Sequence, residues 1–278
     1  MPRQSRTTRA GQTVRGRCAI APASRRRGFT LIDVLVSLGV IAVLIGILLP
    51  TLSRVRETTR KVLCASNVRQ LGLGVAMYAD DWHDRIPLSI YVTPMSSHIP
   101  RNASGGQASL VDTIDLRLNA PGLWGSPWDG LGRLYPSGYL PASGVFYCPS
   151  HTGDHPQSQY AEAWGLPSGR ITGNYQYRGQ GPRGETHLSR IEPKRSAIAA
   201  DALFDAQAPN HPFGLNVLRT DISVSFVPDA DGSMLRNFAV QGAQGGTGGS
   251  RAWETLDNTS GDNAGGSSSG SGVGGRGR

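Results

Sequence analysis

The sequence predicts an α+β protein: a long N-terminal helix packed on a small antiparallel-sheet head, followed by a disordered Gly/Ser-rich C-terminal tail. Three observations predict it. Residues 28–50 read GFTLIDVLVSLGVIAVLIGILLP, and about 20 apolar residues suffice to cross a bilayer core. The next stretch, to near Asp80, keeps helical spacing. Beyond it, short runs of alternating apolar residues are separated by Pro, Gly and Ser, the pattern of short strands.

The first 28 residues carry the charge. Of 28 basic residues in the chain, eight are arginines in this segment, which holds no acid. The remainder has 20 basic and 20 acidic residues and no net charge. The sequence pI of about 9.9 therefore belongs to the leader. It is not the footprint of a nucleic-acid-binding face, and no nucleic-acid partner is expected. Cytoplasmic flanks of membrane spans are enriched in Lys and Arg. Arg54, Arg56, Arg60 and Lys61 compete from the far side, but Glu57 lies among them. The leader is thus predicted inside and the bulk of the chain outside.

From Phe29 to Leu49 the only ionisable group is Asp33. A carboxylate in a lipid-embedded helix costs about 2.5–3.5 kcal/mol on insertion scales, so its presence points to a partner. A secretory signal has a shorter apolar core and a small-residue cleavage site; this run is longer and no Ala-x-Ala site follows it. A plain signal anchor accounts for the length but not for Asp33.

After Pro50 the pattern continues. Leu52, Val55 and Val62 share one stripe, and Val68, Leu71, Val75 and Tyr78 continue one. Pro50 removes one amide donor and is expected to kink the helix rather than end it. The expected layout is a leader at 1–28, a transmembrane helix at 29–49, the soluble half of the stem at 50–80, a head at 81–240 and a low-complexity tail at 241–278.

Within the head, residues 85–145 are rich in Pro, Gly and Ser and read as loops with short helical pieces. Strands are expected at Val145 to Cys148, at Asn174 to Tyr177 and at Ser196 to Ala200. Asn216 to Leu218 and Ile222 to Val227 read as a hairpin, its second arm alternating with period two. The composition after Gln241 forms no core. Within it, residues 251–257 are an island whose Trp253 and Leu256 could dock on the head.

The segment RRRGFTLIDVL, from Arg25 to Leu35, resembles the class III signal of type IV pilins and type II secretion pseudopilins. In that family a membrane peptidase cuts after the glycine and methylates the new terminus. The resemblance implies cleavage between Gly28 and Phe29 and N-methylation of Phe29. It gives Asp33, where the family usually has glutamate, an assembly role: neutralising the Phe29 ammonium of an adjacent subunit. The family's helix-breaking proline is matched by Pro50. The distal half resembles a planctomycete-type pseudopilin branch with a His-x9-Asp-Gly signature. Here His211 and Asp221 have that spacing, but Ile222 stands where glycine is expected, and glycine accepts a positive φ that isoleucine resists. CASNVRQ from Cys64, VFYCPS from Val145 and NVL from Asn216 are further landmarks of that resemblance.

Candidate chemistry is sparse. Cys64 and Cys148 form an even pair outside the leader, which removes Cys18; a disulfide and two buried thiols are the alternatives. Cys148, His151, Asp154 and His155 form C-x2-H-x2-D-H, ligand types that zinc accepts, against the alternative of a polar loop. Asp80, Asp81 and Asp84, and Asp229, Asp231 and Gly232, resemble fragments of calcium loops, and some pseudopilins bind calcium near C-terminal loops. Neither stretch supplies a full loop, so no cofactor is expected. Outside the tail there is no G-x-S-x-G, and the chain has no phosphate loop and no H-E-x-x-H. The expectation is a non-enzymatic pseudopilin-like subunit at the bacterial inner membrane, its head periplasmic. Its partners are prepilin peptidase and other pseudopilins, in a type II secretion or type IV pilus-like assembly. The alternative is an anchored envelope module for glycan or metal that uses the same signal without polymerising.

Overall fold

The computed structural model describes residues 28, 30–91, 113–119, 121, 125–201, 210–211, 213–232, 234–235 and 248–259. The Arg-rich leader with Cys18, the methylation residue Phe29 and the Gly/Ser-rich stretch from 260 onward lie outside the described residues. The chain divides into two compact units, Met1–Thr51 and Leu52–Arg278.

The first element is the helix α1, Leu31–Asp81. Proline removes an amide donor from a helix, yet the helix does not end at Pro50, as expected. In the first unit every side chain from Leu31 to Leu49 is exposed. By length and composition this is a helix able to cross a membrane.

In the second unit the stem buries Cys64, Val68, Leu71, Val75 and Tyr78. Their spacing of four, three, four and three residues places them on one face of a 3.6-residue helix. Leu52, Val55 and Val62, expected on the same stripe, are exposed, because the head's core begins only at Cys64. Gly72 permits close approach: a Cβ there would lie 2.7 Å from Leu218 Cδ1.

The head contains β1 (Asp115–Arg117), a single helical turn α2 (Gln157–Tyr160), β2 (Ile171–Thr172), β3 (Tyr175–Tyr177), β4 (Ala197–Asp201), β5 (Gly214–Arg219) and β6 (Val224–Pro228). β1 and β2 form a small antiparallel pair. The other four strands form an antiparallel meander in the order β3-β4-β5-β6. The register places Tyr175 beside Asp201, Ala200 beside Val217 and Leu218 beside Val224. Side chains alternate across a strand, so Tyr175, Tyr177, Ala199, Asp201, Asn216 and Leu218 share the face turned to the stem. Its apolar members join the stem's stripe in one core. The opposite face offers Ala200, Leu215 and Val217 to a second core.

Three expectations change. Val145 to Cys148 is not a strand. Ser143–Phe146 is a 3₁₀ turn, its amides spent on i→i−3 bonds from Val145 to Ala142 and from Tyr147 to Gly144. Ile222 belongs to the hairpin turn at φ +66° rather than to the strand, with Asp221 Oδ1 accepting the Ser223 amide. The segment expected as a tail contains a helix, α3, Gly248–Asn258, and its island docks as expected. Its Ala252, Trp253 and Leu256 are fully buried in the second core. Asp257 fastens it, accepting from the Ala197 amide at 2.8 Å and pairing with Arg178 at 2.8 Å.

The loops are tied by a buried arginine. Arg117 donates to the carbonyls of Gly169, Leu166, Ala163 and Ser168 at 2.6–2.7 Å. A planar guanidinium suits such multiple donation.

Candidate functional site

Two places carry chemistry. The first is the start of α1. Thr30 precedes the helix; its Oγ1 accepts the Asp33 amide at 3.3 Å, and Asp33 Oδ2 accepts the Thr30 amide at 3.0 Å. This reciprocal pair is a capping box, with aspartate in the glutamate position. Asp33 thus has a partner in its own chain, Thr30, and the negative charge sits where the helix dipole favours it.

The second is a buried cluster against the sheet. The stem stripe supplies Cys64, the end of β4 supplies Asp201, the residue three before β5 is His211, and the turn after Phe146 delivers Cys148. Their ligand atoms all lie within 4.8 Å of one another. Cys64 Sγ donates to Asp201 Oδ2 at 3.1 Å, Cys148 Sγ lies 3.4 Å from His211 Nε2, and that nitrogen lies 3.5 Å from Asp201 Oδ2. None of the four is more than 5 % exposed.

A second layer fixes these groups. His211 Nδ1 lies 2.9 Å from Glu57 Oε1. A carboxylate only accepts, so Nδ1 carries the proton and Nε2 faces the cluster. Glu57 also accepts from Ser150 Oγ. Asn216 clamps Asp201, its amide on Oδ1 at 2.8 Å and its Nδ2 on Oδ2 at 2.9 Å. Asn174 Oδ1 holds the Cys148 amide at 3.3 Å, and the Tyr175 hydroxyl lies 3.5 Å from Cys64 Sγ.

Burial pushes the Cys64 thiol and the Asp201 carboxyl up. Hydrogen bonding from Cys64 lowers Cys148 to about 7 against its burial, with His211 adding to the effect. Burial opposes the charged form of His211, but its contacts with Cys148, Asp201 and Glu57 raise it to about 9. The cluster therefore favours one thiolate beside one imidazolium.

Cys64 and Cys148, for which a disulfide and two buried thiols were the alternatives, are brought together as buried free thiols. The short motif after Cys148 does not converge. His151 Nδ1 is engaged by Asn210 Oδ1 at 2.6 Å, His155 Nδ1 by the Tyr160 hydroxyl at 2.8 Å, and Asp154 is exposed. Only Cys148 of that set belongs to the cluster. His211 and Asp221 do not form one site either: they flank the six residues of β5, a span of about 20 Å at strand rise. Asp81 accepts from the Tyr139 hydroxyl, Asp84 from Ser189, and Asp229 from the Met234 and Leu235 amides. Asp81, Asp84 and Asp229 are thus engaged by the protein's own donors. Sequence reasoning missed Asp201 and Glu57. The signals were an acid closing a buried strand and an acid seven residues before Cys64 on the stem.

Residues 23–49 match the family model described as the prokaryotic N-terminal methylation motif. The chain carries a prepilin-type N-terminal methylation signal. The match takes in the three arginines, Gly28, Phe29 and Asp33, and the whole apolar run of α1 to Leu49. The prepilin-type signal implies processing by a prepilin peptidase and association with a membrane. With the long apolar helix and the small antiparallel sheets, the chain fits a pilin- or pseudopilin-like protein. No curated protein and no solved structure matches the chain.

Proposed function

We propose that this chain is a non-catalytic pseudopilin-like subunit of a type II secretion or type IV pilus-like assembly in the bacterial inner membrane. The prepilin-type signal carries this reading. Prepilin peptidase cuts between Gly28 and Phe29 and methylates Phe29. The leader, with its eight arginines and no acid, stays on the cytoplasmic side, and the head faces the periplasm. The apolar half of α1 then packs with the same segment of neighbouring subunits.

Asp33 is the assembly residue in this account. An unpaired charge in lipid is costly, so the Phe29 ammonium of a neighbour and the Asp33 carboxylate each favour the other's pairing and set the axial register. The capping bonds to Thr30 leave that carboxylate at the helix start, where an incoming terminus reaches it. Two substitutions separate charge from capping. Asp33→Ala removes both; Asp33→Asn keeps an acceptor for the Thr30 amide and removes only the charge. Both variants are expected to be cleaved normally and to lose the crosslinking ladder of cysteine-labelled stems. A normal ladder from Asp33→Asn contradicts the charge role.

A further inference from the structure

We propose that Cys64, Cys148, Asp201 and His211 form a structural zinc site that fastens the stem helix to the sheet. The inference goes beyond the subunit role and does not rest on it. Zinc in closed structural sites takes four Cys, His or carboxylate ligands in a tetrahedron. Ligand bonds of about 2.0–2.3 Å put the ligand atoms of such a tetrahedron about 3.3–3.8 Å apart. The measured separations of 3.1, 3.4 and 3.5 Å, with none above 4.8 Å, need shifts of only a few tenths of an ångström to about 1 Å to meet that geometry.

The donor set selects the ion. Two sulfur ligands disfavour calcium and magnesium, which take oxygen. The burial of all four groups closes the site to a substrate and makes it structural. The outer contacts have the form zinc sites use. A ligating histidine donates its other ring nitrogen to a carboxylate, and His211 Nδ1 does so to Glu57 at 2.9 Å, leaving Nε2 for the metal. Asn216 orients Asp201. On binding, the Cys64 thiol and the His211 imidazolium each release one proton to solvent, Cys148 already being the thiolate. Two thiolates, one carboxylate and a neutral imidazole then leave a zinc complex of net charge −1, with Lys61 as the nearby opposing charge.

The ligands come from positions as far apart as 64 and 211. The metal therefore joins the stem, the turn after Phe146, the end of β4 and the approach to β5. In an oxidising compartment the competing fate of the pair is a Cys64–Cys148 disulfide.

The test uses the full chain in detergent, purified without a polyhistidine tag. Metal analysis is expected to give one zinc per chain. Cobalt(II) titrated into the zinc-stripped chain is expected to give the thiolate charge-transfer band and the intense d–d bands of a tetrahedral site. Cys148→Ser is expected to lose most of the charge-transfer intensity, and Asp154→Ala, which lies outside the cluster, to leave the spectrum unchanged. Glu57→Gln, which keeps all four ligands, is expected to weaken cobalt binding about 10–100-fold against a chromophoric chelator. An octahedral cobalt spectrum from the unmutated chain overturns the proposal even if every variant misfolds. So does an intact mass lower by two hydrogens, which marks a disulfide.

Discussion

Asp129 is a buried carboxylate immediately before the 3₁₀ segment Gly130–Leu134, with 1 % of its surface exposed. Its Oδ2 accepts from Ser89 Oγ at 2.6 Å and its Oδ1 from the Ile90 amide at 2.8 Å. Burial outweighs these bonds and pushes Asp129 up to about 6. The folded state therefore binds this proton more tightly than the unfolded chain does. Its contribution to stability is full below about pH 4 and is lost as pH rises towards 6, a change on the order of 3 kcal/mol. Urea midpoints measured from pH 4 to pH 7 are expected to fall across this window, and Asp129→Asn is expected to flatten the fall. An equally steep fall in the variant contradicts the assignment. The same scale shows what a chain read in order conceals. Cys64 and Cys148 were legible as a pair, and His211 as a signature residue. Their convergence with Asp201 was not, because it depends on which residues of β3, β4 and β5 share the stem-facing side. Sequence spacing alone does not fix that register.

Among the elements, α1 was legible nearly to its last residue, because apolar length and a four-three stripe are long-range periodic signals. The hairpin of β5 and β6 was legible from its period of two. The turn at Ser143–Phe146 was not: VFYC is as apolar and aromatic as a strand, and backbone turn bonds decided otherwise. α3 was legible only as an island whose Trp253 and Leu256 could dock, because the glycine around it hides the helix. Its signal is only three side chains, Ala252, Trp253 and Leu256, at spacings that place them on one helical face. They close the second core against Ala197, Ala200, Leu215 and Val217. Trp253→Ala is expected to cost about 3–5 kcal/mol of stability, while Glu254→Ala, exposed on the same helix, is expected to stay within about 0.5 kcal/mol. Denaturant unfolding of the two variants checks this. Equal, small losses would mean that the helix does not seal the sheet.

At the scale of the whole molecule the basic charge and the membrane segment meet at one bond. Before it stands a segment holding eight arginines and no acid; after it stands a chain with equal numbers of acids and bases. Removing the leader therefore changes a strongly basic protein into a neutral one with a single acid in its apolar span. Asp33 is at once a helix cap in its own chain and, in the proposed assembly, the counter-charge for a neighbour's terminus. The second role requires that the terminus lie at Phe29. The most direct measurement is mass spectrometry of the N-terminal peptide, taken from membranes of a cell with an active prepilin peptidase. The account predicts a peptide that begins with N-methylated Phe29. A chain still beginning at Met1, or cut elsewhere than between Gly28 and Phe29, would contradict it.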